Sequence, residues 1–199
     1  MTPFDIRDPD FEANVRRSFG DLTLMHTIGA RLLNVTPGEV EIDLPFREDL
    51  TQHHGFLAAP VLTAIIDVAC GYAAMTLMPP GVSVLTVEYK VNFLSPARGD
   101  RVLARGRVVR PGRTVTVCAG DVLAIERGSE KLVATMLATM ATAQSARRDA
   151  PATQAHSATA RDDHAEGHRS NEPPRRSRAW CVCRGGRLRQ RVKDFVGVQ

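Results

Sequence analysis

The chain has 199 residues, enough for one domain of ordinary size and an additional segment. Of these residues, 43% are hydrophobic and 24% are charged, a composition typical of a folded domain. Its formal net charge of +4 is unevenly divided, because residues 1–146 hold 14 Lys and Arg against 16 Asp and Glu, whereas residues 147–199 hold 12 against 6. The larger part is therefore slightly acidic, which argues against a general nucleic-acid or anionic-membrane binder.

No export signal is expected at the N-terminus. Residues 1–5 contain neither a basic start nor an apolar run, which excludes the pattern of a secretory signal peptide. No stretch reaches the roughly 18 uninterrupted apolar residues that a membrane span needs. We therefore expect a cytoplasmic protein with no membrane partner.

The first predicted elements are a short helix and a hairpin. Over residues 10–19 an apolar side chain recurs every fourth position, which indicates a one-sided amphipathic helix. Residues 28–35 and 40–44 then read as two strands, the second with strict alternation of apolar and acidic residues. The Pro and Gly within residues 36–39 supply the turn between them.

The next element is a helix over residues 59–77 that is apolar on almost every side. Such a helix belongs inside a domain rather than on its surface. Pro60 fits its first turn, where a missing N–H is not needed, and the run stops at residues 78–81, which include two prolines and a glycine. We expect this helix to be the centre of the fold.

The rest of the body predicts four strands, separated by Pro- and Gly-containing turns. They span residues 82–94, 101–110, 114–126 and 131–142. We expect these strands to form a meander. Because a fully apolar helix must be covered on most sides, the combination predicts an α+β domain in which an antiparallel sheet curls round the helix.

Residues 147–199 differ in composition from the body, with Ala, Arg, Ser, Asp, His and Pro dominant and no periodicity. They read as a disordered basic tail, and an alternative is out-of-frame translation past a natural end near residue 145. We therefore divide the chain into an N-terminal helical segment (1–19), a main domain (20–146) and this tail (147–199).

The four cysteines predict neither a disulfide framework nor a metal site. Cys70 and Cys118 lie inside apolar segments and are expected to be buried and inert. Cys181 and Cys183 are separated by one residue and have no second ligand pair, so zinc is not expected.

Four segments resemble the hotdog-fold acyl-CoA thioesterases of the phenylacetate-degradation type. They occur in the family's order, at residues 52–60, 66–74, 87–97 and 109–113, and the likeness covers residues 20–143. The resemblance implies a curved antiparallel sheet wrapped round one long helix and two subunits that share each active site. It also implies hydrolysis of an acyl-CoA to free acid and CoA, with no cofactor besides the CoA of the substrate.

The resemblance also assigns roles to individual residues. It makes Asp67 the carboxylate that activates water or attacks the thioester, and Gln52 the side chain that positions it. Ala59 falls at the backbone N–H that stabilises the oxyanion from the start of the other subunit's helix. These roles fit the chemistry, because a helix start offers free N–H groups to a negative oxygen and burial raises the pKa of an Asp.

The start of the helix departs from the family pattern. The family has His-Gly-Gly or His-Ala-Gly where this chain has Ala58, Ala59 and Pro60. The imidazole is absent, Pro60 has no N–H, and we expect the proline ring to hold Ala59 toward an extended conformation. Gly55, just upstream, is expected to serve the turn beside the substrate.

Several alternatives stay open at this point. Asp67 can instead be a structural residue bonded to Thr63 one turn earlier, and Gln52 an exposed loop amide. Arg110 and Arg113 flank a turn where they can meet the phosphates of CoA or simply remain solvated. The resemblance thus implies an acyl-CoA thioesterase that is a homodimer or homotetramer.

Two other functions compete with this one. An acyl-CoA-binding protein without hydrolysis, acting as sensor or carrier, is favoured by the altered helix start. A partner- or nucleic-acid-binding arm in the tail is a weaker reading, since Arg-rich composition alone is not specific.

Overall fold

The computed structural model describes residues 4–144, which form three α-helices and one six-stranded sheet. The helices are α1 (Phe11–Gly20), α2 (Thr23–Ile28) and α3 (Ala59–Met75), with a 3-10 turn at Glu48–Leu50. The strands are β1 (Arg31–Thr36), β2 (Glu39–Pro45), β3 (Val82–Phe93), β4 (Arg101–Arg110), β5 (Val115–Glu126) and β6 (Ser129–Gln144). The predicted tail at 147–199, with Cys181 and Cys183, lies outside the described residues.

The sheet is antiparallel throughout, in the order β1-β2-β4-β5-β6-β3. All six predicted strands are present, but the prediction that the last four form a meander is wrong. Of the last four strands, only β4, β5 and β6 are neighbours in chain order, whereas β3 pairs with β6 at the far edge of the sheet. The segment between β3 and β4 is too long for a tight hairpin, and the carbonyl of Ala97 in it accepts the N–H of Leu57 at 3.0 Å.

Helix α3 is the core that the sheet wraps, as its composition predicts. Eight of its seventeen residues are buried, on several sides of the helix. They are Leu62, Ile65, Ile66, Ala69, Cys70, Tyr72, Ala73 and Ala74. The α+β hotdog arrangement expected from the sequence is therefore confirmed, and no helix within residues 4–144 is long and apolar enough to cross a membrane.

Two glycines let α3 lie close against the sheet. Gly106 of β4 and Gly120 of β5 are paired across the strands. A Cβ on Gly106 would overlap the backbone of Ala69 and Cys70, and one on Gly120 would lie 2.8 Å from the sulfur of Cys70. Because real side chains do not tolerate such approaches, the glycines fix how deep the middle of α3 sits in the sheet.

The N-terminal helices cover one end of α3. Val15 and Phe19 of α1 are buried, and the Phe19 ring lies 6.0 Å from that of Tyr72. Ile28 was expected to begin a strand, and this was wrong, because it ends the short helix α2. A helix of six residues is too short for apolar residues to recur at the helical spacing. The sequence therefore does not distinguish the β-branched Ile28 from the strand that follows.

Strand β3 is an open edge with apolar side chains. Within residues 4–144 it pairs with β6 alone, so its other side has no neighbouring strand. Leu85 and Val87 on it are 65% and 60% exposed. A bulge interrupts the pairing between Thr86 and Glu88, which changes the direction of the side chains that follow.

Candidate active site

Asp67 lies in the middle of α3 and reaches toward β3. Its neighbour Ile66 is fully buried, whereas Asp67 itself is half-buried. Its Oδ1 accepts a hydrogen bond from Thr86 Oγ1 at 2.9 Å. Thr63, the partner considered from the sequence, donates instead to the carbonyl of Ala59 at 2.9 Å. The carboxylate is therefore held across the gap between helix and sheet rather than within its own helix.

The surroundings of Asp67 make it a better base. Burial raises the pKa of Asp67 above its ordinary value, and the hydrogen bond from Thr86 partly opposes that rise. A carboxylate with a raised pKa accepts a proton more readily, while partial exposure leaves room for water to reach it. The site thus has the acid–base character that activation of water requires.

A cavity of about 440 Å³ opens beside this carboxylate. The first half of α3 and two aromatic residues of β3 form its wall, lined by Ala59, Pro60, Thr63, Ala64, Asp67, Tyr89 and Phe93. Sequence reasoning gave no role to Thr86, Tyr89 or Phe93. Tyr89 lies three residues after Thr86 and would face the opposite side of a regular strand, so only the bulge brings all three to the helix side.

The start of α3 offers a backbone donor to this cavity. Ala58 precedes the helix with φ −67° and ψ 140°, and its carbonyl accepts the N–H groups of Val61 and Leu62. Pro60 has no N–H. The N–H of Ala59, at the first helical position, makes no backbone hydrogen bond within residues 4–144. The expectation that Ala59 is extended was wrong, because it is the first helical residue, with Pro60 in the first turn.

Gln52 lies in the loop before α3 and its side chain is turned toward that loop. Its side-chain oxygen accepts the N–H of His54, and its backbone N–H donates to Phe56 at 2.8 Å. Gly55 donates to the Gln52 carbonyl at 2.9 Å with φ +78°, the left-handed conformation that explains a glycine in this turn. Gln52 does not line the cavity beside Asp67 in the same chain, and its positioning role stays a prediction.

The two arginines named from the sequence lie elsewhere on the chain. Arg110 ends β4 and Arg113 follows in the turn, and both side chains are exposed. Arg113 lines a separate cavity of about 250 Å³, together with Arg7 and Leu77. Neither arginine lines the cavity beside Asp67, and their contact with substrate stays a prediction.

The buried thiols are not candidates for the chemistry. Burial raises the pKa of Cys118 to about 12 and raises that of Cys70 as well, so both remain protonated and unreactive. Among the described residues, no group of three or more His, Cys, Asp or Glu side chains is arranged to hold a metal ion. The half-buried carboxylate of Asp67 beside an open cavity is the candidate reactive group of this site.

Comparison with known proteins gives a consistent result. The sequence pattern of the thioesterase superfamily matches residues 54–131. A Halobacterium salinarum protein with the name "putative esterase" is 35% identical over 126 residues, which is 59% of this chain and 79% of that protein.

Solved structures extend this likeness to the fold. The crystal structure of a thioesterase family protein from Silicibacter pomeroyi is 46% identical and covers 67% of this chain and 98% of its own, with a TM-score of 0.66. The PaaI protein of the phenylacetic acid degradation operon of E. coli has a TM-score of 0.61 at 16% identity, covers 69% of this chain and 96% of its own, and shows the shared fold. The chain therefore belongs to the thioesterase superfamily, with the PaaI-like hotdog fold, and this membership supports thioester hydrolysis in general.

Proposed function

We propose that this protein hydrolyses an acyl-CoA thioester to the free acid and CoA, with Asp67 as the catalytic carboxylate. The observation that supports this most strongly is the half-buried Asp67 with a raised pKa, which lines an open cavity next to the start of an apolar helix. Burial of a carboxylate costs free energy, and carboxylates with a perturbed pKa in a cleft are concentrated at functional sites.

The chemistry follows from these groups. Asp67 takes a proton from a water molecule as the water oxygen bonds to the thioester carbonyl carbon. The carbonyl oxygen then carries the negative charge, which a backbone N–H stabilises. When the C–S bond breaks, the CoA sulfur leaves and receives the proton from Asp67. Direct attack by the carboxylate, with a mixed anhydride that water then hydrolyses, remains the second route.

The oxyanion donor has to come from a second copy of the chain. Ala59 and Asp67 are eight residues apart on α3, which corresponds to about 12 Å along the helix axis. One carbonyl group cannot touch both within a single chain. Two copies related by a two-fold axis, with their helices antiparallel, would bring the helix start of one beside Asp67 of the other.

The open edge of β3 is our proposed dimer contact. A long edge strand with exposed apolar side chains, here Leu85 and Val87, is a surface that pairs with another strand. Pairing of two β3 edges would continue the sheet and set the two α3 helices side by side. A homodimer with shared sites follows, and two dimers can combine into a tetramer.

Substrate contacts outside the reacting atoms are also part of the proposal. The loop with Gly55 and the helix start at Ala58 and Pro60 would border the thioester. Arg110 and Arg113 would bind phosphate groups of CoA, since a guanidinium forms strong paired hydrogen bonds with phosphate. A cytoplasmic location stays a prediction from the sequence.

A non-hydrolytic acyl-CoA-binding function is the alternative. Two observations favour it. Pro60 has no N–H, so Ala59 supplies the backbone donor at this helix start, and the side-chain oxygen of Gln52 accepts a hydrogen bond within its own loop. Loss of one oxyanion contact lowers turnover by about a hundredfold to a thousandfold in enzymes where it has been tested. The double variant Ala58→His with Pro60→Gly should then speed hydrolysis by at least about tenfold. If it does not, and the native chain binds acyl-CoA without turnover, the alternative replaces our proposal.

The main experiment measures thiol release from a panel of acyl-CoAs, with oxygen esters such as p-nitrophenyl hexanoate in parallel. We expect hydrolysis of at least one acyl-CoA class with a higher kcat/KM than any oxygen ester. Faster hydrolysis of the oxygen esters would remove CoA from the proposal and leave a general esterase.

A further inference from the structure

Tyr89 brings a hydroxyl to the cavity beside Asp67. Among the residues that line this cavity, Thr63, Asp67 and Tyr89 are those with polar side chains. The Thr63 hydroxyl donates to the carbonyl of Ala59 at 2.9 Å, and an ionised carboxylate can only accept hydrogen bonds. Tyr89 therefore carries the remaining side-chain donor of this cavity.

Tyr89 lies between the carboxylate and the start of α3. Thr86 donates to Asp67 in the middle of the helix. Phe93, farther along β3, lines the cavity together with Pro60 at the helix start. Because Tyr89 stands between Thr86 and Phe93 on the strand, and the bulge turns it to the helix side, its ring faces the stretch of α3 between the two ends of the cavity.

The start of α3 is short of donors. Val61 and Leu62 direct their N–H groups to the carbonyl of Ala58, at 3.0 and 3.3 Å. Pro60 has no N–H, so this helix start offers a substrate oxygen the N–H of Ala59. Oxyanion sites are built from backbone and side-chain donors together, tyrosine hydroxyls among them. A second donor from a side chain would therefore complete this site.

The position of Tyr89 also suits a site shared between two copies. Tyr89 is 45% exposed in the single chain, although it lies on the helix side of β3. Strands that pair edge to edge use their backbones, so side chains on the helix side stay on that side and face the cleft between the two α3 helices. The hydroxyl of Tyr89 would then reach the same carbonyl oxygen as the Ala59 N–H of the second copy.

We propose that the Tyr89 hydroxyl donates a hydrogen bond to the thioester carbonyl oxygen and replaces the donor that Pro60 removes. This inference rests on the proposed function and adds a catalytic residue to it. Tyr89 keeps its proton throughout, and its hydrogen bond strengthens as negative charge develops on the oxygen. The proton from water still goes to Asp67 and then to the CoA sulfur.

The first test is Tyr89→Phe, which removes the hydroxyl and keeps the ring. With acetyl-, hexanoyl- and benzoyl-CoA as substrates, we expect kcat for the fastest of them to fall by about a hundredfold, the effect of one lost oxyanion donor, while KM changes by less than about threefold. Thr63→Val is the matched control, because it removes a hydroxyl of the same cavity that is bonded to Ala59. Its kcat should stay within about threefold of native.

A thioether analogue separates this role from a general loss of binding. S-hexyl-CoA has the sulfur and the alkyl chain of hexanoyl-CoA but no carbonyl oxygen. Its Kd should therefore agree within about twofold between native protein and Tyr89→Phe. Weaker binding of S-hexyl-CoA, with a matching rise in KM and no change in kcat, would show that Tyr89 only packs against the substrate and would overturn the proposal.

Repair of the helix start should make Tyr89 less important. Ala58→His with Pro60→Gly returns donors to the same oxygen, so Tyr89→Phe in that background should lower kcat by about tenfold or less. An equal loss in both backgrounds would show that Tyr89 does not replace the missing donor.

The outcomes separate this inference from the function on which it rests. Absence of hydrolysis by the native chain for every acyl-CoA overturns both. Hydrolysis by the native chain that continues at the native rate in Tyr89→Phe overturns the role of Tyr89 alone.

Discussion

Replacement of Thr86 by Val tests how the carboxylate is held. The change keeps the β-branched shape and removes the hydroxyl that donates to Asp67 at 2.9 Å. A hydrogen bond to a charged group is worth about 1.5–3 kcal/mol, and we take about 1 kcal/mol because water can reach this half-buried carboxylate and replace part of the loss. Since one pH unit corresponds to about 1.36 kcal/mol, we expect the pKa of Asp67 to rise by somewhat less than one unit.

The assay is the pH dependence of kcat for acyl-CoA hydrolysis. The base form of Asp67 is lost as the pH falls, so the acid limb of the profile should move to higher pH in Thr86→Val while the plateau stays within a few-fold of native. Thr63→Val is the matched control, because Thr63 lines the same cavity but donates to Ala59 instead. An acid limb that stays in place, or an equal shift in the control, would refute this account of the site.

Three further predictions concern stability and assembly. Gly106→Ala should destabilise the fold by about 3 kcal/mol in urea unfolding, because the added Cβ overlaps the backbone of α3, whereas Gly20→Ala, with open space around it, should change it by less than about 0.5 kcal/mol. Folding raises the pKa of Asp67. The native chain therefore loses stability as the pH rises from the pKa of Asp67 in the unfolded chain through its higher pKa in the folded chain. Asp67→Asn should therefore melt at a higher temperature than native at neutral pH, and the difference should shrink in acid. Leu85→Lys with Val87→Lys should convert the dimer into monomers in sedimentation velocity and abolish turnover, and a dimer that persists would exclude the β3 edge as the contact.

Much of the fold follows from local patterns in the sequence. Helix α3 is apolar on nearly every side, starts at a proline in its first turn and ends before two more prolines, so its existence, bounds and burial could be predicted. The strands could be predicted from alternation and turn residues. The pairing of β3 with β6 could not be predicted, because the order of strands in a sheet depends on the path of the chain after the helix, and local sequence patterns do not indicate that path.

The site was predictable only in part for the same reason. Asp67 could be identified from the helix sequence alone, because a carboxylate within an apolar helix is unusual. Thr86 is 19 residues from Asp67 in sequence, and only the bulge after Thr86 brings Tyr89 and Phe93 to the same side of β3. Such contacts depend on sheet register and helix packing, which a single sequence does not reveal.

The central claim is that Asp67 performs the hydrolysis. Thiol release from the best acyl-CoA should be measured for native protein and for Asp67→Asn, with the affinity for the same acyl-CoA determined on each. The account predicts that kcat falls by about a hundredfold or more, as expected on removal of a general base, while affinity changes little. Turnover at the native rate in Asp67→Asn would contradict it.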